Sequence, residues 1–270
     1  MAKIAIVTGA SSGIGAEFCS ALDARGLDEI WLIARRKDSL DAVASKLSTR
    51  CRAIPSDLSI PDGRAQVAGL LSSASPDVRF LVNCAGLGRF GDSFSIDPRE
   101  TRSMMEVNMA AVVEVTSACI PFMSSGSRII TLCSEAAYVA AYRLGVYAAS
   151  KAFVRSYLDS LRLEVADRGI SVLEVSPGWV DTPFIQGVES TFKAPRKVFG
   201  STVSREDVVS KAMKDSDRGR RRSVCDFSTR AAIAMATHFP RLAAWYWRHM
   251  WGRSPHPSSA PSNWLLYRLR

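Results

Sequence analysis

Lys3-Ile4-Ala5-Ile6-Val7-Thr8 runs directly into Gly9-Ala10-Ser11-Ser12-Gly13-Ile14-Gly15, and this junction decides the architecture. The first segment is apolar and rich in β-branched residues, the composition of a buried strand. The glycines stand at the spacing G-x-x-x-G-x-G, and from Gly13 to Arg25 apolar residues recur at helical spacing, with Gly26 placed to end the helix. A strand that turns through glycine into a helix presents free backbone N–H groups and the positive end of the helix dipole. The missing side chains let a pyrophosphate come close. The spacing is not the G-x-G-x-x-G of the commonest dinucleotide fingerprint, so the turn alone is also compatible with an ordinary tight strand-to-helix turn.

Outward from this junction the same alternation repeats. Short apolar runs at Glu29 to Ala34, Cys51 to Pro55, Val78 to Asn83, Arg128 to Cys133 and Ile170 to Ser176 are separated by helical patterns such as Ser39 to Leu47 and Val146 to Ala166. Near-continuous apolar strands joined by helices predict an α/β fold, a doubly wound parallel sheet covered on both faces with right-handed crossovers. Ser204 starts a further helix with Glu206 and Asp207 in its first turn, and Arg222 to Phe227 reads as a last edge strand. Pro183 to Gly200 reads as a mobile loop. The expected division is a single catalytic domain over 1–227 and a basic, Trp-rich, helical C-terminal extension over 228–270.

The charge supports that division. The chain has 270 residues and a net charge of +9, but residues 1 to 217 hold 25 basic and 25 acidic side chains, whereas 218 to 270 hold ten Arg and one Asp. A neutral body argues against nucleic acid as the main ligand. All three histidines (His238, His249, His256) lie in the tail, which excludes a Ser-His-Asp triad or a histidine metal site from the first 237 residues, and no metal is expected. Six cysteines without a CxxC pair read as reduced, buried thiols. No apolar run approaches the roughly 18 residues a membrane span requires, so a soluble, cytoplasmic protein is expected.

Two further clusters carry chemistry. About twenty residues after the glycine turn, where an NAD site places an acid on the ribose hydroxyls, stand Ala34-Arg35-Arg36-Lys37. Cations there suit a 2′-phosphate, so NADP(H) is the expected cofactor. In Tyr147-Ala148-Ala149-Ser150-Lys151 the i, i+4 spacing sets Lys151 beside Tyr147 on one helix face. An adjacent ammonium is expected to lower the phenol pKa, making Tyr147 a proton donor and acceptor. Ser134 ends the strand Ile129 to Cys133, on the edge where open parallel sheets bind ligands. Its hydroxyl suits a substrate oxygen, and equally a cap on the following turn.

With these residues in view, the sequence resembles the classical short-chain dehydrogenase/reductase family, whose fold is the Rossmann fold. The ordered matches over about residues 3 to 226 are the glycine turn, Asp57-Leu58, Asn83-Cys84-Ala85-Gly86, Asn108, Ser134, Tyr147, Lys151 and Pro177-Gly178-Trp179-Val180-Asp181-Thr182. The resemblance implies a cofactor site built from Gly9, Ser11, Ser12, Gly13, Ile14, Gly15, Arg35, Arg36, Asp57, Leu58, Asn83, Ala85, Gly86, Tyr147, Lys151, Pro177, Gly178, Val180 and Thr182. It implies Asp57 at the adenine, Asn83 supporting the central strand, and Pro177 to Thr182 at the nicotinamide amide. It also implies a catalytic set: Tyr147 as acid/base, Ser134 orienting the reacting oxygen, Lys151 on the nicotinamide ribose, and Asn108 placing a relay water. Cys84 departs from the family's second asparagine, and Ser12 stands where NADP-preferring relatives often carry a cation.

The resemblance implies oxidoreduction of a secondary alcohol and a ketone. The loop Glu135 to Leu144, with Val139 and Tyr142, and the loop after Thr182 point to a bulky lipophilic substrate, of which a hydroxysteroid is the sharpest version. A 3-oxoacyl-thioester or general carbonyl reductase is the alternative within the class, and a non-catalytic NADP-sensing protein the alternative outside it. Lys193, Arg196 and Lys197 suit an anionic substrate group or solvent. Phe239 to Trp251 reads as a helix started by Pro240, suited to a membrane interface, a lid over the site or a subunit contact. Ser254 to Asn263 reads as a linker. A homodimer or homotetramer through the helices carrying Asn108 and Tyr147 is implied.

Overall fold

The computed structural model describes residues 1–182, 184 and 202–251. Seven strands form one sheet in the order β3-β2-β1-β4-β5-β6-β7. They are β1 Lys3–Thr8, β2 Glu29–Ala34, β3 Cys51–Pro55, β4 Asp77–Asn83, β5 Arg128–Leu132, β6 Ser171–Val175 and the short β7 Arg222–Ser223, all parallel. The helices are α1 Gly13–Asp23, α2 Lys37–Ala44, α3 Pro61–Ala74, α4 Pro98–Met105, α5 Ala111–Cys119, α6 Gly145–Glu164, α7 Arg205–Asp217, α8 Phe227–His238 and α9 Pro240–Trp251.

The strand pattern explains the layering. In β1, Ile4 and Ile6 join one core with Trp31, Ile33, Leu81 and Ile129, closed by Val67 and Leu71 of α3, Val112 and Val115 of α5, and Val154 and Leu158 of α6. Ala5 and Val7 point the other way into a second core with Ile30, Leu32, Val82 and Leu173, closed by Phe18 and Leu22 of α1, Leu40 of α2, and Val208 and Ala212 of α7. Alternate residues thus feed opposite layers, and both being apolar is what produces an unbroken hydrophobic run. The order reverses between β1 and β4, so a crevice opens at their carboxyl ends, where such sheets bind ligands.

Several boundaries differ from expectation for local reasons. Helix α2 starts at Lys37 and ends at Ala44, after which the Asp23 carboxylate takes the amides of Ser48 and Thr49 at 3.0 and 2.7 Å and turns the chain toward β3. The edge strand stops at Ser223 because the Asp226 carboxylate caps α8 by accepting from the Thr229 amide at 2.7 Å. The C-terminal extension is helical, as expected, and its first helix spans Phe227–His238, ahead of the one expected from Pro240; an Asp cap before a helical run is its signal. The absence of any span-length run is also corrected. Pro98–Phe122 is 25 continuous helical residues with an 18-residue window of mean hydropathy 1.2, long and apolar enough on composition alone, yet its Val112, Val115 and Cys119 belong to the core. All six cysteines are free, but Cys51, Cys84 and Cys225 are only half-buried. Apart from Phe184, the loop expected at Pro183 to Gly200, with Lys193, Arg196 and Lys197, lies outside the described residues, as does Ser254 to Asn263.

Candidate active site

The glycine turn folds onto the end of β4. The Thr8 hydroxyl accepts from the amides of Cys84 and Ala85, both at 3.1 Å, and locks the two strand ends together. Gly9 has φ +67° and a Cβ there would lie 2.8 Å from the Ala85 nitrogen. A Cβ on Gly15 would lie 2.2 Å from the Gly9 oxygen. Only glycine permits this closure. No side chain caps the start of α1 and its first turn holds no acid, so its leading amides and dipole face the crevice open to an anion.

From this turn a cleft of about 330 Å³ extends in both directions. One end is lined by Arg35 and Arg36 at the end of β2 and by Asp57 and Leu58 after β3. Burial pushes the Asp57 carboxyl up, but hydrogen bonds from Ser59 and the charge of Arg35 outweigh it and hold the group below its usual range. The other end is lined by Ser134, Tyr147, Lys151, Pro177, Gly178, Val180 and Thr182. Ser11, Ser12, Gly13, Ile14, Ala85 and Gly86 line the stretch between.

Two of the residues foreseen for the site lie beneath the cleft. Asn83, 2 % exposed, donates to the hydroxyls of Thr116 at 3.0 Å and Thr131 at 3.2 Å, tying β4 to α5 and β5. Asn108, fully buried, sits in a π-turn over Glu106–Ala110. Its Oδ1 accepts from the Leu87 amide at 2.8 Å, while Nδ2 donates to the Leu87 carbonyl at 2.8 Å and the Ser150 hydroxyl at 2.9 Å. Its side chain thus fixes the loop after β4 against α6.

Tyr147 and Lys151 share one face of α6, with the Lys151 Nζ 5.8 Å from the Tyr147 ring centroid and donating to the Leu132 carbonyl at 2.8 Å. Tyr147 hydrogen-bonds Ser134, whose Oγ also accepts from the Ala136 amide at 3.1 Å. The expected lowering of the Tyr147 pKa is not found: burial pushes the phenol up, and the hydrogen bond with Ser134 only partly offsets it. Burial acts on Lys151 in the opposite sense, favouring its neutral form. Burial thus disfavours the charged form of each group. Glu135 is also displaced, raised by burial and then by Asp226 to about 7.

In the wall beside Tyr147, sequence reasoning missed Phe90; Leu144 and Phe184 belong to the two loops expected there, Trp179 to the motif Pro177 to Thr182, and Trp247 to the helix offered as a lid. Phe90, Leu144, Trp179, Phe184 and Trp247 line the cleft, with Phe90 and Trp179 stacked at 6.0 Å between centroids and Tyr147 tilted on Phe184 at 5.8 Å. Phe90 follows the glycine of β4's loop without any motif, and Trp247 arrives from the tail. In contrast, Val139 and Tyr142, expected on the substrate side, line a separate shallow groove with Ala149, Ala152, Ala244 and Arg248. The 3-10 turn Glu135–Ala137 swings the chain away after Ser134 and turns them from the cleft. Among the described residues no group of His, Cys, Asp and Glu could hold a metal.

Residues 3–192 match the family model of the short chain dehydrogenases. The chain belongs to the classical short-chain dehydrogenase/reductase family. As a member of that family it is an oxidoreductase of the alcohol and carbonyl kind. This dehydrogenase/reductase is 28 % identical over 265 residues to the dehydrogenase/reductase SDR family protein 7-like of Anopheles gambiae, spanning 92 % of this chain and 79 % of that protein. Over 191 residues it is 30 % identical to 11-beta-hydroxysteroid dehydrogenase 1A of Arabidopsis thaliana, 68 % of this chain and 54 % of that one. A short chain dehydrogenase of Burkholderia cenocepacia, solved in complex with NADP, is 25 % identical with a TM-score of 0.73 over 90 % of this chain and 96 % of its own.

Proposed function

We propose that the protein is an NADP(H)-dependent oxidoreductase that interconverts a secondary alcohol and a ketone on a bulky lipophilic substrate, with a hydroxysteroid as its sharpest version. The observation that carries the reading is the cleft itself: an uncapped helix start and two arginines at one end, and a tyrosine, serine and lysine under an aromatic wall at the other. The residues suit NADP(H). The Gly9–Gly15 closure leaves room for a pyrophosphate, and Arg35 and Arg36 offer charge-assisted hydrogen bonds to a 2′-phosphate where an NAD site would carry an acid. The NADP-bound Burkholderia cenocepacia relative and the Arabidopsis thaliana hydroxysteroid dehydrogenase agree with both halves of the proposal.

When bound, the cofactor supplies the hydride. The chain supplies the proton and the orientation. In reduction the Tyr147 hydroxyl donates to the oxygen that becomes an alkoxide, while Ser134 donates a second hydrogen bond to it. Burial keeps the phenol in its protonated form, so the proton is present on Tyr147 to be given. Lys151, its Nζ 5.8 Å from the Tyr147 ring centroid, stabilises the phenolate left behind when it carries its proton, and Asn108 keeps α6 in register with the loop after β4. Oxidation runs the same steps backward. Phe90, Trp179 and Trp247 exclude water and favour a flat apolar skeleton.

Tyr147→Phe tests this assignment. It should cost on the order of 10²- to 10⁴-fold in NADPH consumption with an accepted ketone, while NADPH binding followed by fluorescence stays within threefold of wild type as judged against about 0.6 kcal/mol. Unchanged turnover would remove Tyr147 from the chemistry. A comparison of steroid ketones with short 3-oxoacyl thioesters separates the two substrate classes. We further propose a cytoplasmic homo-oligomer: the six free thiols suit a reducing compartment, and Met105 and Phe153, both over 40 % exposed on α4 and α6, suit a subunit contact. Light scattering that gives a monomer would overturn the assembly.

A further inference from the structure

We propose that the outward face of α9 docks the enzyme on an anionic lipid surface, beside the cleft that the helix's inward face helps to close. Helix α9 reads Pro-Arg-Leu-Ala-Ala-Trp-Tyr-Trp-Arg-His-Met-Trp and contains no acidic residue. Its inward side is set by Ala243 and Trp247, 1 % and 6 % exposed. Leu242, Trp245 and Tyr246 point out at 53 %, 55 % and 47 % exposure, and Phe239, just before the helix, is 63 % exposed. Positions 242, 245, 246 and 249 share one helical face, where the Trp245 ring lies 4.1 Å from that of His249. Arg241 and Arg248, both exposed, flank it.

Charge selects the occupant. Over the two helices from Phe227 to Trp251 the chain holds Arg230, Arg241 and Arg248 and no acidic residue, whereas the first 217 residues are formally neutral. A second copy would bring the same positive face, so pairing of these faces is opposed. An anionic bilayer matches both properties of the helix. Tryptophan and tyrosine rings settle at the headgroup boundary, and arginines keep their guanidinium groups at the phosphate level while their stems cover apolar surface. Because Trp247 lines the cleft from the other side of the same helix, a docked enzyme holds its substrate wall against the membrane that would store a lipophilic ketone. This last step rests on the lipophilic substrate proposed above; the docking does not.

The test is co-sedimentation of the full chain with vesicles of phosphatidylcholine alone and of phosphatidylcholine mixed with phosphatidylserine. Binding should appear with the mixed vesicles only and weaken with salt. Arg241→Glu with Arg248→Glu should lower the partition at least tenfold, since each arginine near such a surface is worth about fivefold. Trp245→Ala with Tyr246→Ala should also lower it and remove the blue shift of tryptophan emission. Circular dichroism and NADPH binding of both variants should match wild type, because the altered side chains are exposed. No binding, equal binding to both vesicle types, or binding untouched by either double variant overturns the proposal. So does the conversion of an oligomer to monomers by these variants, which would make the face a subunit contact. Vesicle binding is read without turnover, so a failure on every lipophilic ketone leaves this result independent.

Discussion

Replacing Trp247 by alanine separates the closure of the cleft from the stability of the sheet. The indole is 6 % exposed and packs with Phe90, Ala136, Val139, Leu144 and Ala148, while Ala243 is the other fully buried described side chain on α9. An aromatic side chain of this size buries roughly 150 Å² or more, so its loss removes about 4 kcal/mol at about 25 cal/mol per Å². Allowing for a compact unfolded chain, about 3 kcal/mol remains. Since α9 is terminal among the described elements and packs mainly on α8, that loss should fall on local docking of the helix. About 3 kcal/mol corresponds to an opening of α9 that is more frequent by about 10². Hydrogen exchange read by mass spectrometry should show that change in peptides covering 240–251 and almost none in β1 and β4. With it, KM for a bulky ketone should rise about tenfold as the wall is lost, equal to about 1.4 kcal/mol of binding. Unchanged exchange in α9 would refute the reasoning, and so would a loss of protection shared equally by the central strands.

Three further outcomes follow from the cleft. Arg35→Ser combined with Arg36→Ser should weaken NADPH binding by about 10- to 100-fold and leave NADH nearly unaffected, through loss of charge-assisted hydrogen bonds; equal weakening of both cofactors in a fluorescence titration would contradict the 2′-phosphate role. Gly15→Ala puts a Cβ 2.2 Å from the Gly9 oxygen, so the turn must open, and NADPH binding should be lost with about 2 kcal/mol or more of stability. Glu135 has its pKa raised from 4.5 to about 7, so the folded cofactor-free protein holds a proton that the unfolded chain has released. Its stability should therefore fall as pH rises from about 4.5 through about 7, by about 3 kcal/mol in all. Glu135→Gln should flatten that fall in urea titrations at several pH values, and parallel curves would exclude Glu135 as its source.

Much of the fold was legible because the strands announce themselves. The runs Lys3 to Thr8 and Glu29 to Ala34 are largely apolar on both faces, Cys51 to Pro55 forms the edge with only Ile54 buried, and the boundaries of all three agree with β1, β2 and β3. The residues gathered on the cleft were legible where backbone constraints demand particular types, as at Gly9 and Gly15, or where a helix spacing sets two groups together, as at Tyr147 and Lys151. What escaped the sequence depends on long-range packing. Nothing local in Trp247 distinguishes a cleft wall from a surface aromatic such as Trp245, two positions away. Spacing also gave the wrong sign for the Tyr147 pKa, because it reports that Lys151 is a neighbour and says nothing about how dry the site is. The edge strand was drawn too long because the capping carboxylate of Asp226 was read as part of it.

The π-turn at Glu106–Ala110 has a consequence for the way α4 and α5 can vary. It inserts one residue into an otherwise continuous helix, which advances everything beyond it by about 100° of helical phase. Met104 before it and Val112 and Val115 beyond it are all buried, so the phase step must be kept for both halves to face inward at once. Asn108 sits inside the step. A single-residue deletion there would leave a more regular helix with one half turned outward, whereas the same deletion in an exposed loop would be absorbed locally. The segment therefore tolerates exchange of side chains more readily than any change in its count of residues.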